Sequence, residues 1–303
     1  MSNITAKIIA DSVNIVGNRL TTFELEYPRF IHSEFMTHRM LSKNSASSRA
    51  IPIETMHKHI LDVPQYPSKW GKNNPGMQSK EEMSDAEREL AIAYWDMAKN
   101  DALGHSKNLS TIKAHKQIAN RITEPFMQMK VIASGTEWAN FFHLRNHEDA
   151  DPTIADLAAK MWVAYTEGDR PDLLDSGEWH LPYIQPKRTS SGRTYYSEGS
   201  EISLNTARKV SASCCAQVSY RKNNESIEKA QIIYDRLVSS EPIHASPFEH
   251  QATPIDFSSN RTRYIPEIWE DGVTHMSTDG SMWSGNFRGW IQFRKLIPNN
   301  TKW

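Results

Sequence analysis

The chain has 303 residues, of which 38% are hydrophobic and 10% aromatic, and its 35 basic and 36 acidic side chains give a formal net charge of -1. This near-neutral charge, without a long basic run, argues against tight binding to duplex nucleic acid. No apolar stretch approaches membrane-spanning length, and the polar N-terminal residues carry no signal-peptide core, so we expect a soluble, cytoplasmic protein with no membrane partner.

The sequence predicts two strands near the start of the chain, over residues 7–13 and 20–27, and the side chains of the second strand alternate. In the second strand, Phe23 and Leu25 share one face while Thr22 lies on the other. The remaining predicted elements, in chain order, are a loop at 65–80, a helix opening with the capping box Ser84 and Glu87, helices at about 107–121 and 153–166, a polar loop at 185–200, and an amphipathic helix within 225–240.

Two larger parts follow from this order of elements. The loop region at 168–200 is the best candidate boundary between an N-terminal part, 1–167, and a C-terminal part, 168–303. In the N-terminal part, the helix that opens at Ser84 carries Leu90, Tyr94 and Met97 on one face.

The two cysteines, Cys214 and Cys215, are adjacent within VSASCCAQVSY, where a bond between neighbours would be strained. The small and apolar side chains around them predict buried structural thiols rather than a nucleophile. The chain also lacks the glycine-rich nucleotide-binding motifs, the G-x-S-x-G nucleophile elbow and the C-x-x-C pair of zinc deaminases. Several common enzyme classes are therefore not indicated.

The most unusual segment is THRMLSKNSASSR, Thr37 to Arg49, which is too polar for a core strand and too rich in serine for a strong helix. Arginine binds phosphate through two parallel hydrogen bonds, and serine hydroxyls can donate to the remaining phosphate oxygens. This composition suits an anionic ligand. A solvated loop with serine helix caps explains the segment equally well.

Three further polar segments have a functional and a structural interpretation each. In NRITEPF, Arg121 could bind phosphate or simply complement a helix dipole. In TEWANFFHLR, Asn140 and Arg145 beside an aromatic wall suit a planar heterocycle, or the polar edge of a core helix. In HASPFEH, His244 and Ser246 could bind a ligand, or belong to a turn through Pro247.

A metal site has weaker support. His143 and His147 are four residues apart, so one helix face could present both to a zinc ion. No third and fourth ligand stands at a convincing spacing. We therefore predict no metal, and a zinc hydrolase is kept only as an alternative.

Together the four segments resemble the flavin-dependent thymidylate synthases. That family carries R-H-R, seven further residues, Ser, and usually Arg two positions on. Here Thr37, His38 and Arg39 are followed in the same register by Ser47 and Arg49, with Thr37 in place of the first Arg. NRITEP and TEWANFFHLR also resemble family segments, the latter ending in the family's Leu-Arg.

The order of the elements differs from that family. HASPFEH and CAQVSY resemble family segments that precede the R-H-R motif, but here they follow it by roughly two hundred residues, so the order looks circularly permuted. The resemblance implies an α+β fold, a mostly antiparallel sheet with packed helices, in which residues 168–303 complete the same domain as 1–167. It also implies a homotetramer with shared active sites.

The resemblance assigns roles residue by residue. It implies that the nucleotide is bound by Glu34, Ser47, Arg49, Arg121 and Arg145, with Arg145 as the catalytic residue, and that FAD is bound by Thr37, His38, Arg39, Asn140, His244 and Ser246. The implied reaction transfers a one-carbon unit from methylenetetrahydrofolate to C5 of dUMP, with reduced FAD as the hydride donor and NADPH as the reductant. It needs no enzyme cysteine, unlike the cysteine-dependent thymidylate synthases.

Three departures from the family pattern leave alternatives open. Thr37 replaces an Arg, Ser45 stands where Glu is common, and Glu34 stands where Gln is common. Glu34 could accept a hydrogen bond from the amino group of cytosine. The alternatives are therefore methylation or hydroxymethylation of another pyrimidine nucleotide such as dCMP, and a non-catalytic flavin- or nucleotide-binding protein on the same fold.

Overall fold

The structure, a computed structural model, describes residues 3–190, 192–220, 224–257 and 265–300, without the side chains of 219 and 220. Its strands are β1 Thr5–Asn14, β2 Arg19–Pro28, β3 Ser42–Ser45, β4 Gln128–Gly135, β5 Asp172–Leu174, β6 Gln185–Thr189, β7 Gly192–Ser197, β8 Ser200–Ile202, β9 Ala252–Pro254, β10 His275–Met276, β11 Met282–Ser284, β12 Phe287–Arg288 and β13 Trp290–Gln292. Its α-helices are α1 His32–Met36, α2 Ile53–Asp62, α3 Asp85–Thr111, α4 Lys116–Ala119, α5 Ala139–Arg145, α6 Pro152–Glu167, α7 Leu204–Ala216 and α8 Ile227–Ser239. Short 3-10 turns lie at Arg29–Ile31, Asn120–Phe126, Gln217–Tyr220, Ser246–Glu249, Pro266–Ile268 and Phe293–Leu296.

The central feature is a five-stranded sheet in the order β3-β4-β2-β1-β5. Its four longer strands pair antiparallel, and only the short β5 joins β1 in parallel. Three smaller sheets and the helices complete the described chain. The predicted α+β class with a mostly antiparallel sheet is therefore confirmed.

One face of the central sheet forms the largest apolar core. Phe23 and Leu25 of β2 point into it, as their alternation predicts, together with Val131 of the neighbouring β4. The opposite wall comes from α5 and α6, which contribute buried aromatic and aliphatic side chains, among them Phe141 and Leu157. This packing fixes α5 against the sheet.

The other face of the sheet is also buried, although it is polar. Ser12, Thr22 and Ser134 stand on neighbouring strands and are buried, as are His180 and His250 from the C-terminal part. Hydrogen bonds run from Ser12 to His180, from His180 to Thr22, from Thr22 to Ser134 and from Ser134 to His250. We call these five residues the polar row. The polar row connects residues before position 168 with residues after it. The division of the chain into two parts at 168 stays a prediction.

Helix α3 begins as predicted. The Ser84 side chain accepts from the Glu87 backbone and the Glu87 carboxylate accepts from the Ser84 backbone, which is the capping box. Leu90, Tyr94 and Met97 do share a face, but each is more than half exposed. The helix therefore packs through a different face, which includes the partly buried Trp95 and Leu103.

The predicted helix at about 107–121 is wrong in its bounds. Helix α3 continues to Thr111, and Lys113 then adopts a positive φ of 62°, which breaks the helix. The short α4 follows, and then a 3-10 turn that contains Pro125. The helices predicted at 153–166 and within 225–240 are confirmed as α6 and α8.

The predicted polar loop at 185–200 is also wrong, because β6, β7 and β8 form an antiparallel meander there. Glycine at 192, with φ 121°, lies at the turn between the first two strands. Thr194, Tyr195 and Tyr196 are residue types that favour strands. Tyr195 is buried in a second core beside α7, which explains why this polar segment is ordered.

The loop-rich tail contains short strands. Strand β13 pairs with β9, and β10, β11 and β12 form a separate sheet. Residues 258–264 and 301–303 of the predicted loop lie outside the described residues. In the part of the chain that the structure describes, no helix has the length and apolar character needed to span a membrane.

Candidate active site

The start of the THRMLSKNSASSR segment ends the short helix α1. The Thr37 hydroxyl donates to the backbone oxygen of Glu34 at 2.6 Å. The ammonium of Lys43 reaches back from β3 and donates to the backbone oxygens of Phe35 and His38. Burial lowers the pKa of Lys43 to about 8. These contacts satisfy carbonyl groups that a helix end leaves free, and they fix the direction of the chain at His38.

Aromatic packing brings this segment against α5. The ring of Phe141 contacts Phe35 of α1 in an edge-on arrangement, with 5.6 Å between centroids. It also contacts the imidazole of His38 edge-on at 4.9 Å. Two segments that are about a hundred residues apart in sequence therefore meet around one buried ring.

Arg145 joins the two segments through its guanidinium. It lies four residues after Phe141 on α5, which puts both on the same side of the helix. Its Nε donates to His38 Nε2 at 3.0 Å, and its Nη1 forms an ion pair with Glu34 Oε2 at 3.1 Å. The Arg145 side chain is 23% exposed and that of Glu34 is 41% exposed, so both can reach a ligand.

His38 is neutral in this arrangement. Burial, together with the positive charges of Arg145 and Lys43, lowers its pKa to about 4. Because a guanidinium only donates, His38 Nε2 must accept, and the ring proton then lies on Nδ1. The cluster thus combines a cationic donor, an anionic acceptor in Glu34 and a neutral imidazole, which suits the polar edge of a heterocyclic base.

A second cluster gathers around Glu124. Its carboxylate forms an ion pair with Arg29 at 3.0 Å, lies 3.7 Å from Arg121, and accepts from the hydroxyl of Ser48 at 3.0 Å. The buried amide of Asn120 donates to the backbone oxygens of Ser48 and Ile51, at 2.8 and 3.0 Å. The turn that holds the predicted residues Ser47 and Arg49 is therefore anchored beside Arg121.

An open cleft of about 430 Å³ lies between these elements. Its walls are formed by Arg29, Phe30, His32, Ser33, Arg121, Glu124 and Pro125. Since the helix of five residues that supplies His32 and Ser33 also supplies Glu34, α1 links the cleft to the Arg145 cluster. The sequence analysis did not predict Arg29 or Glu124 as site residues, although Arg29 is a basic residue directly after the end of β2 and shortly before the THRMLSKNSASSR segment.

Most of the six predicted FAD-binding residues are exposed. Arg39, Asn140, His244 and Ser246 all face solvent, and among the described residues none of them makes a side-chain hydrogen bond or ion pair. Ser246 begins a 3-10 turn that packs against β3. The donor set fits the chemistry of FAD, because a guanidinium and imidazoles suit its phosphates while amide and hydroxyl groups suit its ring edge. Their assignment to FAD stays a prediction.

The alternative chemistries find little support in the described chain. Cys214 and Cys215 are buried, and burial raises the pKa of the Cys214 thiol to about 12, so neither is poised as a nucleophile. His143 and His147 are exposed on and just beyond α5. Among the described residues, no group of three or more histidine, cysteine, aspartate or glutamate side chains is placed to hold a metal ion.

Comparisons with known solved structures add a distant likeness. No protein-family model and no curated protein matches this chain. Among solved structures, the UMP/dUMP methylase PolB from Streptomyces cacaoi bound with 5-Br UMP is similar, with a TM-score of 0.47 and 17% identity. The same protein bound with 5-Br dUMP gives 0.45 and 15%. Both alignments cover 55% of this chain and 91% of PolB. Similarity this distant carries no inference about the activity of this chain.

Proposed function

We propose that the protein transfers a one-carbon unit to C5 of a pyrimidine deoxynucleoside monophosphate. The observation that carries this proposal is the contact of Arg145 with Glu34 and with the neutral His38. The THRMLSKNSASSR and TEWANFFHLR segments are far apart in sequence, and both resemble nucleotide-binding segments of the flavin-dependent thymidylate synthases. Their side chains converge on one partly exposed cluster.

The role of Arg145 follows from its donors. C5 of a pyrimidine becomes nucleophilic as negative charge builds on the ring, and a fixed guanidinium stabilises that charge. Arg145 uses two of its N–H groups on His38 and Glu34 and keeps three for a base. Its neighbours hold the guanidinium in one orientation, so little reorganisation is needed during the reaction.

The nucleotide phosphate has a second set of partners. Arg121 is 60% exposed beside the open cleft, and the turn with Ser47 and Arg49 is anchored next to it. Arg29 adds a further cation on the same wall. Glu124 neutralises part of this charge through its ion pairs with Arg29 and Arg121, so we expect phosphate to compete with Glu124 for the arginines.

The electron balance requires a reductant. In the proposed reaction the C5 hydrogen leaves as a proton, a C–C bond forms to the methylene of methylenetetrahydrofolate, and that carbon is reduced to methyl while tetrahydrofolate is released. FAD, reduced by NADPH, would supply the two electrons of this reduction. The bound FAD would be held by Thr37, His38, Arg39, Asn140, His244 and Ser246. The homotetramer is part of the same proposal, tested by light scattering.

The test is a product mass. The full-length protein is incubated with FAD, NADPH, methylenetetrahydrofolate and equimolar dUMP and dCMP, and the nucleotides are weighed by mass spectrometry. A methyl increment on either nucleotide is expected. A hydroxymethyl increment, in which water adds to the transferred carbon and no electrons are needed, would support one-carbon transfer and contradict the reduction by flavin. Arg145→Lys should lower the rate about a hundredfold because it removes the planar fork. Arg236→Lys, the same change at an exposed position of α8, is the matched control. Bound flavin and nucleotide without any mass change would overturn the proposal.

A further inference from the structure

The feature with the most information about the substrate is the ion pair between Glu34 and Arg145. One carboxylate oxygen of Glu34 accepts from Arg145 Nη1 at 3.1 Å, and the side chain is 41% exposed. An ionised carboxylate has about four acceptor sites and no donor, whereas a guanidinium has five donors and no acceptor. The pair therefore presents an acceptor directly beside several donors.

His38 fixes which donors remain. Because Arg145 Nε is committed to His38, the N–H groups left for a ligand are those of the two terminal nitrogens. These lie in the plane of the guanidinium, next to the Glu34 carboxylate. The site is therefore complementary to a base whose edge presents one hydrogen-bond donor, which Glu34 accepts, followed by acceptors, to which Arg145 donates.

The two pyrimidine bases differ along that edge. Cytosine presents an exocyclic amine, then the ring N3 acceptor, then the O2 acceptor, which matches one carboxylate followed by two guanidinium donors. Uracil presents an acceptor, a donor and an acceptor. If its N3–H meets Glu34, only one carbonyl faces Arg145. If one of its carbonyls meets Glu34, two acceptors oppose each other without a proton between them.

We infer that Glu34 makes cytosine the preferred base. The nucleotide that receives the one-carbon unit is then a 4-aminopyrimidine nucleotide such as dCMP. This inference rests on the proposed function, because it takes Arg145 as the group that contacts the base. Loss of one charge-assisted hydrogen bond corresponds to about tenfold to hundredfold in affinity. Binding of dCMP should exceed that of dUMP by about that factor.

The experiment measures the binding of dCMP and of dUMP to the full-length protein in the presence of FAD, by equilibrium dialysis. Wild-type protein should bind dCMP at least about tenfold more tightly than dUMP. Glu34→Gln should reduce the difference to less than about threefold, because an amide both donates and accepts. Glu228→Gln in the first turn of α8, an exposed position with the same charge change, should keep the wild-type preference.

Equal or tighter binding of dUMP by the wild-type protein would overturn the inference without any variant. So would a Glu34→Gln protein, folded by its urea unfolding midpoint, that keeps the full preference for dCMP. The mass assay separates this outcome from failure of the proposed function. Carbon added to dUMP alone leaves the proposed function standing and overturns the inference. Preferential binding of dCMP without added carbon overturns the proposed function, while the preference of the site for cytosine stands.

Discussion

The polar row allows a quantitative prediction, because its central hydroxyl can be removed with little change of shape. Thr22 Oγ1 lies 2.8 Å from His180 Nε2 and 2.6 Å from Ser134 Oγ, and all three residues are buried. Thr22→Val replaces that hydroxyl with a methyl group. His180 keeps its bond to Ser12 and Ser134 keeps its bond to His250.

The expected cost follows from the groups that lose a partner. A buried polar group left unsatisfied costs about 1–3 kcal/mol. His180 Nε2 loses the partner that Thr22 supplies, whereas Ser134 Oγ keeps its bond to His250, so the cost at Ser134 lies at the lower end. Thr22→Val should therefore lower the free energy of unfolding by about 2–3 kcal/mol. Thr22→Ser keeps the hydroxyl and loses one methyl, which should cost about 1 kcal/mol.

The assay is equilibrium unfolding in urea, followed by tryptophan fluorescence, on wild-type protein and both variants. Thr22→Val should be the less stable variant although it keeps more apolar surface. The reasoning would be refuted if Thr22→Val were as stable as Thr22→Ser, because the hydroxyl would then contribute nothing to the buried face.

Three further predictions concern titratable groups. Burial lowers the pKa of His180 and of His250 to about 3. Below about pH 6.5 both imidazoles are therefore protonated in the unfolded chain, while they stay neutral in the folded chain down to about pH 3. Stability should thus fall from pH 6.5 toward pH 3 with a slope approaching about 2.7 kcal/mol per pH unit, and urea midpoints that do not change with pH would contradict this. Cys214 and Cys215 should not react with a thiol reagent at pH 8 until the protein unfolds, and a thiol titrated in the native protein would show that they are accessible. Lys43→Met should lower stability by about 1–2 kcal/mol in thermal unfolding, because it removes a charged donor from the end of α1, and an unchanged melting temperature would speak against that role.

Local sequence was sufficient for several elements. The strands predicted at 7–13 and 20–27 correspond to β1 and β2. For β2 the reason is its alternation with period two, which shows which side chains face a core. The capping box at Ser84 marked the start of α3 because its two hydrogen bonds join residues only three apart. The burial of the two cysteines also followed from their small and apolar neighbours.

The candidate site was predictable in its residue types but not in its contacts. The resemblance to the flavin-dependent thymidylate synthases singled out His38, Glu34 and Arg145, and the structure brings these three together. No local pattern indicated that Arg145 would pair with Glu34, or that Glu124 would hold Arg29 and the turn before Arg49. Such contacts join residues that are distant in sequence, so they exist only after the sheet and α5 have packed.

Only the tertiary structure decided whether a polar strand face is buried or exposed to solvent. Thr22 lies on the polar face of β2, yet it is buried, as are His180 and His250 on the same side of the sheet. Conversely, Tyr94 and Met97 form an apolar face of α3 that stays exposed. Sequence periodicity determines which residues share a face. Whether that face meets water or another part of the chain depends on segments far away, which supply the partners that hydrogen-bonded groups require when they are buried.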